Sequence, residues 1–281
     1  MTNLSEFLGT IRLYGLNPPT KLTPGKIQAF PGLGKKNGNT AARCMLFIDL
    51  KGGWFMDYST GLFEVWQAKC ETPYTDQERQ AFKEKCERDR LAREQEIIKG
   101  YQQTAYKAAS IWKGAPLADD RNVYCIRKKI QPHGAKQAYF GSLIIPIYDQ
   151  SLRLVNLQFI QPDGAKRFLT GGRKKDCFWW LGKKTDTVLI AEGFATAASL
   201  HESTGLQTFV AFDAGNIVNV AKIFRAKNPE AEIIICGDND ASGTGQKAAK
   251  KAAIECQGKY LIPSIKGFDW NDVARTARSA Q

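Results

Sequence analysis

The chain has 281 residues, 43% hydrophobic and 11% aromatic, enough to bury a sizeable core in more than one domain. Forty Lys and Arg against 28 Asp and Glu leave a net charge of +12, a field that attracts polyanions and puts nucleic acid first among partner classes. No apolar run approaches the roughly 20 residues that cross a bilayer, and the N-terminus lacks the basic start and apolar centre of a signal peptide, so a cytoplasmic protein with no membrane partner is expected.

Residues 1–72 mix Gly, Pro and aromatics and read as a small β-rich module. The runs "RCMLFIDL" and "GWFMDY" form a hairpin across Gly-Gly, with "STGLFEVW" as a further strand. A basic loop with Lys35 and Lys36, beside Trp54, Phe55 and Trp66, has the ingredients for stacking single-stranded bases near a phosphate-attracting rim. The same aromatics would serve equally well as the core of a small sheet.

Residues 73–114 change to a charged stretch rich in Glu, Lys, Arg, Gln and Ala, expected as one long exposed helix. Thr75 with Glu78 three positions on forms a capping box at its start. Residues 115–185 return to short strands, "SLIIPIYD" and "RLVNLQFI", separated by the turns "DQSLR" and "QPDGAKR", which predicts a mostly antiparallel subdomain. It carries the densest basic cluster in the chain: Lys166, Arg167, Arg173, Lys174 and Lys175.

Residues 186–281 alternate apolar strands ("TVLIA", "TFVAF", "EIIIC", "KYLIP") with helical segments, which predicts an α/β fold with a parallel sheet and helices on both faces. Ligands in such sheets bind beyond the carboxyl ends of the strands. Glu192 follows "TVLIA", Asp213 follows "TFVAF", and Asp238 and Asp240 follow "EIIIC", so all four carboxylates belong at one sheet edge. Like charges gathered there require protonation or a bridging cation, and hard oxygen donors suit Mg²⁺ or Mn²⁺. Lys247, near the start of the next helix, opposes the helix dipole unless an anion lies close. No zinc site is expected: the seven cysteines form no Cys-x-x-Cys pair, and His133 and His201 are the only histidines.

"LIAEGFATAASL" followed by "IIICGDNDASGTGQKAA" resembles the Toprim domain shared by bacterial-type primases, topoisomerases and some nucleases. With the upstream "LIIPIYDQSLRLVNLQFIQPDGAKRFLTGGRKKDCFWWLG", residues 100 to 275 resemble the primases of conjugative plasmids, integrative elements and satellite phages. The resemblance implies RNA primer synthesis from NTPs on a single-stranded DNA template, with a pair of Mg²⁺ or Mn²⁺ ions. It implies Glu192 as base or metal organiser, and Asp238 and Asp240 as metal ligands. Lys166, Arg167 and Arg173 would meet nucleotide phosphates or template. Asp269 and Asp272 in "GFDWNDV" match a late acidic motif, although Asp269 or Asn271 could equally be a helix N-cap.

Two departures from that family bear on partners. The N-terminal zinc module of chromosomal primases has no ligand set here, so the 1–72 module would take over template recognition. There is no Gly-x-x-x-x-Gly-Lys-Ser/Thr loop, so any helicase partner is expected as a separate chain. A Toprim nuclease and a non-catalytic single-strand-binding accessory protein remain the alternatives.

Overall fold

The computed structural model describes residues 2–69 and 75–279, apart from the side chains of Glu78 and Ser279. Cys70, the expected boundary at residue 72 and the Glu78 half of the expected capping box lie outside the described residues. The chain divides into two compact units, Met1–Cys86 and Glu87–Gln281.

The first unit opens with a helix that a β-rich reading does not anticipate. In α1 (Asn3–Leu13), Thr2 caps the N-terminus by accepting from the Ser5 amide, and Phe7, Leu8 and Ile11 form the buried face at helical spacing. Strands β1 (Gln28–Phe30), β2 (Ala42–Leu46), β3 (Gly52–Asp57) and β4 (Leu62–Gln67) make an antiparallel sheet in chain order, which includes the expected hairpin. Alternation sends Ala42, Cys44, Leu46 and Phe55 to one face, against Phe7 and Ile11.

Trp66, expected as part of a stacking surface, is on that buried face, with its ring 5.3 Å from Phe7. Phe55 is also fully buried. Trp54 points to the other side, half-buried and stacked on Phe63 at 6.2 Å. Lys35 and Lys36 are exposed in a loop, anchored at its start by the buried Asp57, which accepts from the Leu33 amide.

Helix α2 (Asp76–Gly114) is 39 residues long and mostly exposed. Near its end, Ala108 and Trp112 pack against Ile144 and Leu157 of the second unit's antiparallel sheet. That sheet, in chain order, comprises β5 (Lys136–Gln137), β6 (Leu143–Tyr148), β7 (Leu154–Ile160) and β8 (Lys166–Phe168), preceded by the short helix α3 (Val123–Lys128). Asn122 caps α3 by accepting from the Tyr124 and Cys125 amides.

The second sheet of this unit runs β13-β12-β10-β11-β9. Its members are β9 (Trp179–Leu181), β10 (Thr187–Ala191), β11 (Gln207–Val210), β12 (Glu232–Cys236) and β13 (Lys259–Leu261). The last four are parallel, as expected, and β9 adds an antiparallel edge from a segment that reads in sequence as part of the preceding subdomain.

Helices α4 (Phe194–Thr204), α5 (Ala214–Lys227) and α6 (Thr244–Glu255) form the crossovers, and α7 (Trp270–Ser279) closes the chain. Alternation along β10 divides the core. Val188 and Ile190 join α5 and α6 on one face, while Leu189 and Ala191 join α4, α3 and β6 on the other. Among the described residues no helix is long and apolar enough to cross a membrane.

Candidate active site

The strand order reverses beside β10, whose parallel neighbours are β11 on one side and β12 on the other, and ligands of open parallel sheets bind at such a switch point. Glu192 follows β10 directly at this point. In register Ala191 pairs with Cys236, so Gly237 and Asp238 leave the sheet alongside Glu192 and Gly193. Asp213 leaves the same edge from β11. The four carboxylates therefore share one edge, as their strand positions require.

Their environments differ. Burial pushes the Asp238 carboxyl up to about 7, reinforced by the nearby charges of Asp269 and Glu192. Its Oδ1 is buried and finds no hydrogen-bond partner among the described residues. Burial also raises Glu192, with Asp213 and Asp240 adding to the effect and Lys166 opposing it. Asp240 goes the other way, to about 2, because the Ser242 hydroxyl and the Gly245 and Thr244 amides all donate to it.

Asp240 thus caps α6 through its side chain, at 2.6 Å from the Gly245 nitrogen. Gly245 permits this because a Cβ there would sit 2.7 Å from the Asp238 carbonyl oxygen and 2.9 Å from Asp240 Oδ2. Asn239 faces away and is held by Gln246 and the Pro263 carbonyl. The repelling pair of the sequence is therefore split into one satisfied and one unsatisfied carboxylate.

Three further acidic residues have structural partners. Asp213 caps α5 by accepting from the Asn216 amide and is paired with Lys174 at 3.0 Å. Asp269 and Asp272 exchange amide bonds: Asp269 accepts from the Asp272 nitrogen at 2.8 Å, and Asp272 accepts from the Asp269 nitrogen at 3.2 Å. This is a reciprocal cap on α7, so the N-cap alternative describes the Asp269 side chain, which still lies close enough to raise Asp238. Among the described residues no three His, Cys, Asp or Glu groups are gathered in a cluster able to hold a metal ion.

Of the basic cluster, Lys166 reaches the acidic edge. Its Nζ lies 3.2 Å from where a Cβ on Gly193 would stand, and its charge lowers both Glu192 and Asp238. Residues two apart share a face of a strand. Phe168 accordingly packs on Phe212 beside the same edge, at 6.3 Å, and Arg167 projects to the opposite face of β8. Phe212 itself is held at a left-handed φ of 71°, a strained conformation for a bulky residue immediately before Asp213.

Arg173 stays local, bonded to the Lys175 carbonyl and 3.6 Å from Asp176, while Lys174 lies over the Phe168 ring at 4.7 Å. Lys175 is exposed. Lys247 is likewise exposed, in a shallow basic groove on α6 with Lys250 and Lys251.

A cleft of about 290 Å³ opens beside the acidic edge, lined by Arg127, Lys128 and Lys166, by the carboxylates of Asp163 and Asp269, and by Ala195 and Thr196 in the first turn of α4. Gly193 provides α4 with no side-chain cap. A helix N-terminus flanked by three cations suits phosphate oxygens. The sequence reading missed Arg127 and Lys128, because it left α3 out. The signal available was Asn122 as a cap before the basic run Arg127-Lys128-Lys129.

Residues 187–280 match the Toprim domain family. This segment is a Toprim domain. The chain is similar to two curated Escherichia coli proteins named DNA primase TraC. It is 28% identical to one over 284 residues, covering 94% of this chain and 20% of the relative. It is 37% identical to the other over 131 residues, covering 42% of this chain and 12% of that relative. The chain thus spans a fifth or less of the relatives' length.

Among solved structures, the primase fragment of the bacteriophage T7 primase-helicase protein aligns over 91% of this chain and 97% of its own, with 13% identity and a TM-score of 0.45. A DnaG primase catalytic domain bound to ssDNA aligns over 64% of this chain and 78% of its own, with 12% identity and a TM-score of 0.46. Within the Toprim domain here lie Glu192, Asp213, Asp238, Asp240 and Asp269. Lys166, Arg127 and Lys128 reach the site from outside it.

Proposed function

We propose that this chain is a DNA primase core that joins NTPs into short RNA primers on a single-stranded DNA template, releasing pyrophosphate. The observation that carries this reading is Lys166 at the acidic edge of the Toprim sheet, with a cleft beside it that Lys166 shares with Arg127, Lys128 and the start of α4. The similarity to DNA primase TraC across nearly the whole chain supports it.

The site's residues divide the work. Lys166, Arg127, Lys128 and the α4 N-terminus bind and orient the triphosphate so that its α-phosphate faces the acidic edge. Glu192, whose carboxyl is raised by burial, is placed to take the proton of the attacking 3′-hydroxyl. With no preformed three-carboxylate cluster among the described residues, Glu192, Asp238 and Asp240 would hold divalent cations one or two ligands at a time with water completing the shell, and the unpartnered Asp238 Oδ1 fits such a ligand. When bound, Mg²⁺ or Mn²⁺ supplies charge stabilisation for the attacking and leaving oxygens. The ion count, and a helicase acting as a separate chain, belong to the same proposal.

The experiment is to incubate the protein with single-stranded DNA, labelled NTPs and Mg²⁺ or Mn²⁺. New short oligonucleotides that vanish with Asp238→Ala support the primase. Shortened template would assign a nuclease instead, and DNA binding with neither product an accessory protein.

A further inference from the structure

The connection between β5 and β6 displays two aromatic rings that nothing covers. Tyr139 and Phe140 are 90% and 91% exposed, and their rings meet edge to face at 5.3 Å. The loop is closed by the Ala138 amide bonded to the Ser142 carbonyl at 2.8 Å, leaving three residues at its tip. Phe140 is held there at φ 66° and ψ 17°, the left-handed region that a bulky side chain avoids. Gly or Asn is the ordinary residue at such a position. The strain is retained at a ring that buries nothing, so packing does not explain it, and strained residues of this kind concentrate at ligand sites.

The loop is also firmly placed. Asn122, the cap of α3, donates to the Gly141 carbonyl at 3.0 Å and to Gln137 at 2.8 Å. On its other side Gly141 approaches Pro162, and Leu143 pairs with Ile160, so the tip stands beside the turn between β7 and β8. Helix α3 supplies Arg127 and Lys128, and that turn leads into Lys166 and Arg167; the first three of these line the phosphate cleft. The aromatic tip thus stands beside the turn whose Asp163 and Gly164 line that cleft with Arg127, Lys128, Lys166 and Asp269; three cations against two carboxylates leave the cleft net positive, which favours a polyanion over an apolar protein surface.

We infer that Tyr139 and Phe140 are a base-stacking platform for single-stranded DNA, gripping unpaired bases while the neighbouring cations hold the backbone. Aromatic rings beside a phosphate-binding track are the usual means of holding single strands without regard to sequence. The inference rests on the primase reading for the identity of the strand as template.

Binding of a labelled oligo-dT by fluorescence anisotropy tests it in the full chain. Tyr139→Ala and Phe140→Ala should each weaken binding by about tenfold, with the dependence on salt unchanged. Lys166→Ala should instead flatten the salt dependence. Phe140→Gly should lose the same affinity as Phe140→Ala without lowering the thermal midpoint, because glycine relieves the strained φ; this separates ring loss from misfolding. An oligonucleotide carrying 5-iodouracil should cross-link to residue 139 or 140.

Wild-type affinity in the double alanine variant would overturn the inference, and a change in oligomeric mass in that variant would then assign the rings to a protein contact. Ring-dependent binding without primer synthesis would uphold the platform and sink the primase reading. A wild-type chain that binds no oligo-dT would sink both.

Discussion

Asp238 and Asp240 stand two positions apart and titrate in opposite directions, Asp238 up to about 7 and Asp240 down to about 2. Burial without a partner drives the first, and donated hydrogen bonds from Ser242 and the amides at the start of α6 drive the second. Repulsion at this edge is therefore relieved unequally. Asp240 shapes the loop, and Asp238 is left as the carboxylate that gains most from a cation.

Stability should report this. Without metal, the folded chain keeps a proton on Asp238 from its ordinary value of 3.8 up to about 7, a window in which the unfolded chain has released it. A state that binds more protons is favoured at low pH, so this group's contribution to stability falls as pH rises through that window and is lowest above it. In chelator, the thermal midpoint of the wild type should fall between about pH 5 and pH 8 relative to Asp238→Asn. Mg²⁺ should restore the wild type at the alkaline end and leave the variant unmoved. Parallel curves for the two proteins would show that Asp238 does not titrate as described.

Lys166 is the cation that opposes burial at both Glu192 and Asp238. Lys166→Ala should raise both carboxyls further and move the acidic limb of the pH–rate profile of primer synthesis to higher pH. It should also lower kcat/KM on the order of a hundredfold, as loss of a group aimed at developing charge does. Arg167→Ala, on the opposite face of β8, should leave the profile in place. If the two variants shifted the profile equally, the assignment of faces would be wrong.

Much of the Toprim sheet was legible because its central strands β10 and β11 are buried on both faces and read as unbroken apolar runs, and because acidic residues at strand ends can be placed without knowing the packing. Residue roles were less legible. Asp213 follows its strand as Asp238 does, and Asp269 belongs to the late acidic motif, but each found backbone donors and became a cap. Whether a carboxylate is satisfied depends on which amides the fold delivers to it. Helix α3 was missed, and β9 was assigned to the preceding subdomain, for a related reason: each is short, and is fixed by partners far away in sequence.

The tryptophans of the first unit give a clean contrast of that kind. Alternation along β3 and β4 was readable, but which face is covered depends on α1. Trp66→Ala should cost about 3–5 kcal/mol through the cavity left beside Phe7 and abolish cooperative folding of this unit. Trp54→Ala should cost about 0.5–1 kcal/mol, the scale of its stacking on Phe63. Urea unfolding followed by circular dichroism reads both, and similar losses would mean that both rings are core.

The basic segment around Arg173 is held by two buried carboxamides in addition to the ion pairs of Arg173 and Lys174. Asn216 donates to the Lys174, Cys177 and Ala211 carbonyls and accepts from the Asp176 amide; Asn156 donates to the Arg173 carbonyl. Gly172 lies so close to Asn156 that a Cβ there would collide with the carboxamide. Asn216→Ala should therefore cost about 1–3 kcal/mol, since buried carbonyls lose their donor. Gly172→Ala should cost a similar amount, about 1–3 kcal/mol, through overpacking. Combined with Asn156→Ala, however, Gly172→Ala should cost less than the sum of the two, because deleting the carboxamide makes room for the new methyl group. A double-mutant cycle by urea denaturation measures that coupling. Strict additivity would mean that Asn156 and Gly172 act independently, and that the basic segment is placed by something other than this clamp.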